Sequence, residues 1–328
     1  MKLSELGEFG LIDLIKENAV VDPTSLVVGI GDDAAVYVPE RGKLELLTTD
    51  MLVEKVHFDL TTTSPWQLGY KAVAVNLSDI AAMGGKPCHI VVSLGLPEEL
   101  PAEFVVNLYK GIKEICREFS VNLVGGDTVS SPLGLVINVT VAGEVEPARL
   151  LRRSGAKIGD LVVVTGSLGN SACGLDLLIR RGWEDYEYAW PLVTAHLTPR
   201  PQVAVGQNLA TRGATSANDI SDGLASEANE LAKASGFGIK LYSDKIPLSP
   251  ELIEGAALLG KRPLDYALYG GEDYQLVFTI SPKQFACLPQ SLGQFIVVGE
   301  VTEGEGVTLV EPNGRTKMLA PGGYNHFQ

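Results

Sequence analysis

The chain has 328 residues, room for two domains of roughly 150 residues each. Its 45% hydrophobic and 20% charged residues are an ordinary globular mixture, which excludes a disordered or fibrous chain. The 26 Lys and Arg against 40 Asp and Glu leave a net charge of −14 with no long acidic run, which argues against nucleic acid or an anionic membrane as a general partner. An acidic protein that handled phosphates would need cations. Cys88, Cys116, Cys173 and Cys287 form no CxxC pair and no Cys/His zinc spacing, so a reduced, cytoplasmic protein is expected. The opening MKLSELGEFG does not read as a secretory signal, and no apolar run reaches the roughly 18 residues of a membrane span.

In chain order, Leu11, Ile12, Leu14 and Ile15 predict a short amphipathic helix, and Leu26–Ile30, Ala34–Val38 and Leu44–Thr48 predict strands between Gly, Asp and Pro turns. Ser64 as N-cap and Pro65 in the first turn open a helix to about Met83, and Gly84-Gly85 ends it. A strand (Ile90–Leu96), a helix (Pro101–Phe119) and strands at Val121–Val124 and Leu135–Val145 follow. The charged, turn-rich stretch Glu146–Asp160 is the expected domain boundary, dividing 1–148 from 149–328. Beyond it the pattern predicts a strand at Leu161–Thr165, helices at Ala172–Arg181, Gln202–Ala210 and Ser221–Ala234, and strands at Ile239–Tyr242, Gln275–Ile280 and Phe295–Val301. A hairpin with Asn313-Gly314 at its tip closes the series. Mixed strands and helices without a strict βαβ rhythm indicate an α+β fold.

Aspartates beside glycine at the ends of apolar segments are the most informative local feature. They occur in IGDDAA (Asp32, Asp33), LLTTD (Asp50), GGDT (Asp127) and NDISDG (Asp219, Asp222), and Asp79 lies within NLSDIAAMGG. Strand ends and turns present site residues from a fixed base, and hard oxygen ligands in such numbers suit Mg²⁺. Aspartate in a glycine turn also caps helices, and Asp222, before Gly223 and a helix, reads equally as an N-cap. Asp79 sits among apolar neighbours, so it needs a metal or basic partner if buried and otherwise marks a solvated face.

The common nucleotide loops are missing. GAALLGKR (Gly255–Arg262) approaches a Walker A loop, but Arg262 stands where Ser or Thr must meet the metal. GIGDDA (Gly29–Ala34) leads into a strand-like segment, and its two aspartates would face a pyrophosphate. His57, His89, His196 and His326 show no metal-ligand spacing and accompany no GxSxG elbow; His57 taken alone reads as packing or surface. Glu272 and Asp273, in YGGEDYQL, lie between a glycine pair and a strand, either as a turn end or as a polar contact to ligand.

Taken in order, GEFGLI (7–12), IGDDAA, TTD with His57 seven residues on, YKAVAVNLSDIAAMGG (70–85), VGGDT (124–128), RSGAKIGD (153–160), VTGSLGNSACGL (164–175), HLTPRP (196–201), DISDGL (219–224), YGGEDYQL (269–276) and GYNHF (323–327) cover nearly the whole chain. This succession resembles thiamine-monophosphate kinase, of the superfamily that includes aminoimidazole ribonucleotide synthetase. The resemblance implies ATP-dependent phosphorylation of thiamine monophosphate to thiamine diphosphate by direct in-line transfer. It also implies a homodimer whose N-terminal domains pair in a β-barrel, with an α/β sandwich-like C-terminal domain completing the nucleotide and substrate cleft. By motif position, Asp33, Thr48, Thr49, Asp50, Asp79, Asp127, Asp219 and Asp222 would hold several Mg²⁺ ions. Tyr109, Gly126, Asp127, Arg153 and Ser221 would contact ATP, and His57, Glu272 and Tyr324 the thiamine monophosphate. No catalytic base is expected, because the attacking phosphate oxygen is already ionised.

Two alternatives stand beside this. One is another enzyme of the superfamily, of the aminoimidazole ribonucleotide synthetase type. A selenophosphate synthetase would carry a reactive Cys near its start, whereas the first here is Cys88, and hydrogenase-maturation relatives end in a cysteine, whereas this chain ends NHFQ. The other alternative is a non-catalytic cation-binding protein, although the EF-hand pattern is absent.

Overall fold

The computed structural model describes residues 16–30 and 35–323. The helix expected over Leu11–Ile15 lies outside them. The chain divides into two compact units, Met1–Ile80 with Gly85–Pro147, and Ala81–Gly84 with Ala148–Gln328.

In the first unit, β1 (Leu26–Val28) and β2 (Val36–Tyr37) pair as a small antiparallel ribbon. β3 (Leu44–Val53), β4 (Lys86–Leu96), β5 (Asn122–Ser130) and β6 (Val136–Val145) form a four-stranded sheet in the order β3-β6-β4-β5. Only β4 and β5 run parallel, as a crossover through a helix requires. The sheet is open, and the described residues form no closed barrel. Along β6 alternate residues Ile137, Val139, Val141 and Val145 are buried, the period of a sheet with one covered face.

Helix α2 (Ala102–Phe119) and helix α1 (Pro65–Ala82) up to Ile80 belong to the same unit. Ser64 and Gln67 form a capping box at the start of α1: the Gln67 N–H donates to Ser64 Oγ at 3.3 Å, and the Ser64 N–H to Gln67 Oε1 at 3.0 Å. Leu68, Leu77 and Ile80 of α1 and Leu108, Ile112 and Ile115 of α2 are fully buried. The two helices touch through backbone. A Cβ on Gly69 would stand 2.0 Å from the Leu108 carbonyl oxygen, and one on Gly111 2.0 Å from that of Trp66.

The second unit is built on a seven-stranded mixed sheet in the order β13-β12-β9-β11-β7-β10-β8. Its strands are β7 (Leu161–Val164), β8 (Ala214–Asp219), β9 (Gly238–Tyr242), β10 (Leu276–Ile280), β11 (Ile296–Thr302), β12 (Val307–Val310) and β13 (Thr316–Met318). The β12–β13 hairpin turns at Asn313-Gly314, as the sequence indicates. The helices are α3 (Asn170–Arg180), α4 (Ala189–Leu197), α5 (Val203–Thr211), α6 (Leu224–Ser235), α7 (Pro250–Leu259), α8 (Pro263–Tyr269) and the single turn α9 (Pro282–Phe285). Leu224, Ala228 and Leu231 of α6 and Leu268 of α8 pack with Val162, Val277 and Val298 of the sheet. A second core joins α3, α4 and α7 through Cys173, Leu177, Leu192, Val193, Leu252 and Ala256.

Five elements depart from the sequence expectation, among them the single turn α9, which was not anticipated. α4, α7 and α8 were not anticipated, although Ser249-Pro250 opens α7 with the same signature as Ser64-Pro65; Ser249 Oγ accepts the Leu252 N–H at 3.1 Å. α7 also absorbs the Walker-like GAALLGKR stretch, with Gly260 as its left-handed C-cap, so that stretch is a helix end and no phosphate loop. β8 reads ATSAND, without a β-branched alternation, and becomes a strand through pairing along β10, where Ser216 and Thr279 share a buried hydroxyl contact of 2.7 Å. No helix among the described residues is long and apolar enough to cross a membrane.

Candidate active site

The expected site residues fall in both units. In the first, strand alternation sorts the TTD motif. Thr48 and Asp50 share one face of β3 with buried Leu52, while Thr49 points to the other face, its Oγ1 2.9 Å from Thr140 Oγ1. Thr48 Oγ1 donates to Asp79 Oδ2 at 2.5 Å, joining strand to helix. Asp79 thus lies half-buried against β3, and not on a solvated helix face. Burial, and then repulsion from Asp79, push the Asp50 carboxyl up to about 6. Two carboxylates that resist joint ionisation, with a hydroxyl beside them, are a hard-oxygen pair suited to a small divalent cation.

Asp127 lies on β5, the opposite edge of the sheet from β3 and about 14 Å away at ordinary strand spacing. It is exposed, and its Oδ1 accepts the Thr128 N–H at 2.8 Å. Gly126 beside it is compulsory, since a Cβ would meet the Val92 carbonyl oxygen at 2.0 Å. His57 Nδ1 accepts the Val53 N–H at 3.0 Å, which leaves the ring proton on Nε2 as a donor. Tyr109 is buried within α2, and burial raises its phenol pKa. Asp33 and Tyr324 lie outside the described residues.

In the second unit, Asp219 ends β8 and is buried, and Ser221 and Asp222 form the turn into α6. The N-cap of α6 is Gly223, at φ +93, so Asp222 does not cap it. The Glu272 N–H donates to the Ser221 carbonyl oxygen at 2.7 Å, which locks the GGED loop onto this turn. Gly271 permits that closeness, since a Cβ there would stand 2.6 Å from the same oxygen. Glu272 itself has φ +66, a left-handed conformation seldom taken by a residue with a side chain and a mark of a constrained loop.

Glu227 carries no motif signal of its own, whereas Asn218, Asp273 and His196 lie in motifs that do not show their partners. Glu227 is buried on α6; its Oε1 accepts the Asp222 N–H at 3.2 Å, and its Oε2 accepts from Asn218 Nδ2. Burial, then repulsion from Asp219, raise Glu227 to about 8. Asn218 Oδ1 in turn accepts Arg153 Nε at 3.0 Å. Asp273 is buried and receives the Gly169 N–H at 2.6 Å and the Ser171 N–H at 3.3 Å, anchoring the start of α3; burial carries its carboxyl to about 7. His196 Nδ1 lies 3.2 Å from both Ser171 Oγ and Glu272 Oε2. Serine and acid meet the same ring nitrogen, and Ser171 is fully buried, so this is a holding network and not a nucleophilic triad.

Among the described residues, no three His, Cys, Asp or Glu side chains converge closely enough to hold a metal by themselves. The structure brings Thr48, Asp50 and Asp79 together, and separately Asp219, Ser221, Asp222, Arg153 and Glu272. It leaves Thr49 and Asp127 apart from the first group. A cavity of about 540 Å³ in the first unit, lined by Tyr37, Lys43, Lys86, His89 and Glu144, lies near the start of β3, away from Asp50. Its Lys43 is already paired with Glu40 and Glu144, and its Tyr37 with Glu45.

The AIR synthase related protein N-terminal domain model matches residues 31–145, and the C-terminal domain model residues 157–311. The thiamine-monophosphate kinase of Aquifex aeolicus is 42% identical over 327 residues, covering 100% of both chains. That of Bacillus subtilis is 38% identical over 333 residues, covering 98% of this chain and 100% of its own. The solved structure of AaThiL complexed with AMPPCP and TMP is 40% identical, with a TM-score of 0.81 over 100% of this chain and 99% of its own. Hydrogenase maturation protein HypE in complex with ATP, at 18% identity and a TM-score of 0.74, shares the fold alone. On these matches over the whole length, the chain belongs to the thiamine-monophosphate kinases, within the AIR synthase related proteins.

Proposed function

We propose that this chain transfers the γ-phosphoryl group of ATP directly to thiamine monophosphate, giving thiamine diphosphate. The observation that carries this reading is the likeness along the entire chain to AaThiL, which was complexed with AMPPCP and TMP. The attacking phosphate oxygen is ionised at neutral pH, so the protein has to align two anions and offset their charge, with no base to supply.

Asp33, Thr48, Thr49, Asp50, Asp79, Asp127, Asp219 and Asp222 are the proposed Mg²⁺ ligands. The Asp50–Asp79 pair supports this, since burial and mutual repulsion raise the Asp50 carboxyl to about 6 in the absence of a cation. Bound Mg²⁺ would neutralise the phosphate oxygens and orient them. Arg153, held through Asn218, would present a fixed positive charge to ATP, and Tyr109, Gly126, Asp127 and Ser221 are the other proposed ATP contacts. His57 would donate from Nε2, Glu272 would accept from the cationic, nitrogen-rich thiamine body, and Tyr324 would stack on it.

Residues 1–148 are assigned ATP and metal binding and dimerisation, and residues 149–328 the remainder of the nucleotide and substrate site. The homodimer, joined through a shared β-barrel, is supported by the open sheet, on which Leu47 and Met51 of β3 are 75% and 53% exposed. Incubation with ATP, Mg²⁺ and thiamine monophosphate is expected to yield ADP and thiamine diphosphate. No thiamine diphosphate, together with turnover of an amidine-type purine precursor, would assign the chain to the aminoimidazole ribonucleotide synthetase activity instead.

A further inference from the structure

The proposed ligands and contacts of the second unit, Asp219, Ser221, Asp222 and Arg153, sit on two segments that need a common support. Arg153 lies in the segment leading to β7, Asp219 at the end of β8, and Ser221 and Asp222 on the turn after it. A chain of hydrogen bonds through the buried Asn218 and Glu227 joins Arg153 to Ser221 and Asp222, and the exposed Arg153 also pairs with Glu230 at 3.8 Å. Arg153 Nε donates to Asn218 Oδ1 at 3.0 Å, and Asn218 Nδ2 donates to Glu227 Oε2. Glu227 Oε1 then accepts the Asp222 N–H at 3.2 Å, with the Ser221 hydroxyl at 3.4 Å. Asn218 and Glu227 are 3% and 4% exposed, so water cannot substitute for a lost partner.

From this geometry we infer that Glu227 is a positioning residue for the nucleotide: through Asn218 it sets the direction of the Arg153 guanidinium, and through Asp222 and Ser221 the shape of the turn. The inference rests on the proposed kinase reading for the role of Arg153. Its content is polarity. Both Glu227 oxygens accept in this geometry, Oε1 from the Asp222 N–H and Oε2 from Asn218 Nδ2, so the Asn218 amide turns its NH₂ toward Glu227 and its carbonyl oxygen toward Arg153.

Glu227→Gln keeps shape and volume but makes one end a donor. Either that donor faces the Asp222 N–H, or it faces the Asn218 NH₂, or Asn218 flips and turns its NH₂ on Arg153 Nε. Every arrangement opposes two donors. Adding Asn218→Asp repairs the chain, because the new carboxylate accepts from both Arg153 and the new amide at 227. Asn218→Asp alone is the control for the second change.

The experiment measures AMPPCP affinity by calorimetry, steady-state kinetics and melting temperature for the full chain and these three variants. Glu227→Gln is expected to weaken AMPPCP binding and raise the KM for ATP roughly tenfold, the scale of one hydrogen bond to a charged group. The KM for thiamine monophosphate should stay within about threefold, by the same scale. The double variant should recover most of the wild-type affinity. Unchanged binding in Glu227→Gln overturns the inference, and so does a double variant no better than Glu227→Gln. A purely structural role for Glu227 would move the melting temperature without this reversal. If the wild-type chain neither binds AMPPCP nor forms thiamine diphosphate, the kinase reading fails, and the relay is then judged by the ¹⁵N resonance of Arg153 Nε. A shift in Glu227→Gln that reverts in the double variant upholds it, and an unmoved resonance overturns it.

Discussion

Asp50 and Asp79 show how one side chain's surroundings set its use. Asp79 accepts a hydroxyl from Thr48, and Asp50 stands in a half-buried place where its neighbour's charge makes ionisation costly. On the metal reading, Asp50→Asn or Asp79→Asn should lower kcat by about 100-fold or more, because the loss falls on charge stabilisation in the transition state. Turnover within a few-fold of wild type in both variants would count against these ligands. Asp273 has a different task. Its carboxyl is raised by burial to about 7, above the ordinary aspartate value of 3.8, so folding favours its protonated form. Its contribution to stability is full below about pH 4 and is lost as pH rises through about 7. Asp273→Asn should therefore trail wild type most near pH 4 to 5, with the gap in denaturant midpoint narrowing by pH 8. A gap that widened with pH would contradict the assignment.

At the level of elements, glycines decide how closely helices and loops approach. The α1–α2 contact places Gly69 against the Leu108 carbonyl and Gly111 against that of Trp66, and no side chain can occupy a 2.0 Å gap. Gly111→Ala should cost about 2–3 kcal/mol in urea unfolding, as overpacking of a tight contact does, and a null effect would show that the helices stand further apart. The ends of α1 were legible because Ser64, Pro65 and Gly84-Gly85 act locally. Those of α4 were not, since its AWPLVTAHL segment carries no capping side chain and is held by packing of Leu192 and Val193 on α3 and α7. β8 was illegible for a related reason. Small polar residues form a strand there because β10 offers a complete ladder and partners for Ser216 and Thr279.

For the molecule as a whole, the open sheet of the first unit leaves β3 as an edge with Leu47 and Met51 exposed, a surface that soluble chains usually cover. If two copies meet there, Leu47→Glu with Met51→Glu should convert a dimer to a monomer in sedimentation at micromolar protein. A wild-type chain that sediments as a monomer under the same conditions would remove the homodimer from the proposal.

Sequence by itself determined the family, because ordered motifs such as TTD, GGDT, DISDG and GGED are local strings whose spacing survives without coordinates. It also placed the capped helix α1 and the Asn313-Gly314 hairpin, whose signals are carried by adjacent residues. Only the tertiary structure decided which face of β3 each residue of TTD takes, that Asp222 leaves the N-cap to Gly223, and that Glu227, Asn218, Asp273 and His196 support the site. Asn218, Asp273 and His196 lie in motifs, but their partners, and Glu227 altogether, become evident only in the folded chain. Burial and partnership arise between segments far apart in the chain, and no local pattern of residues encodes them.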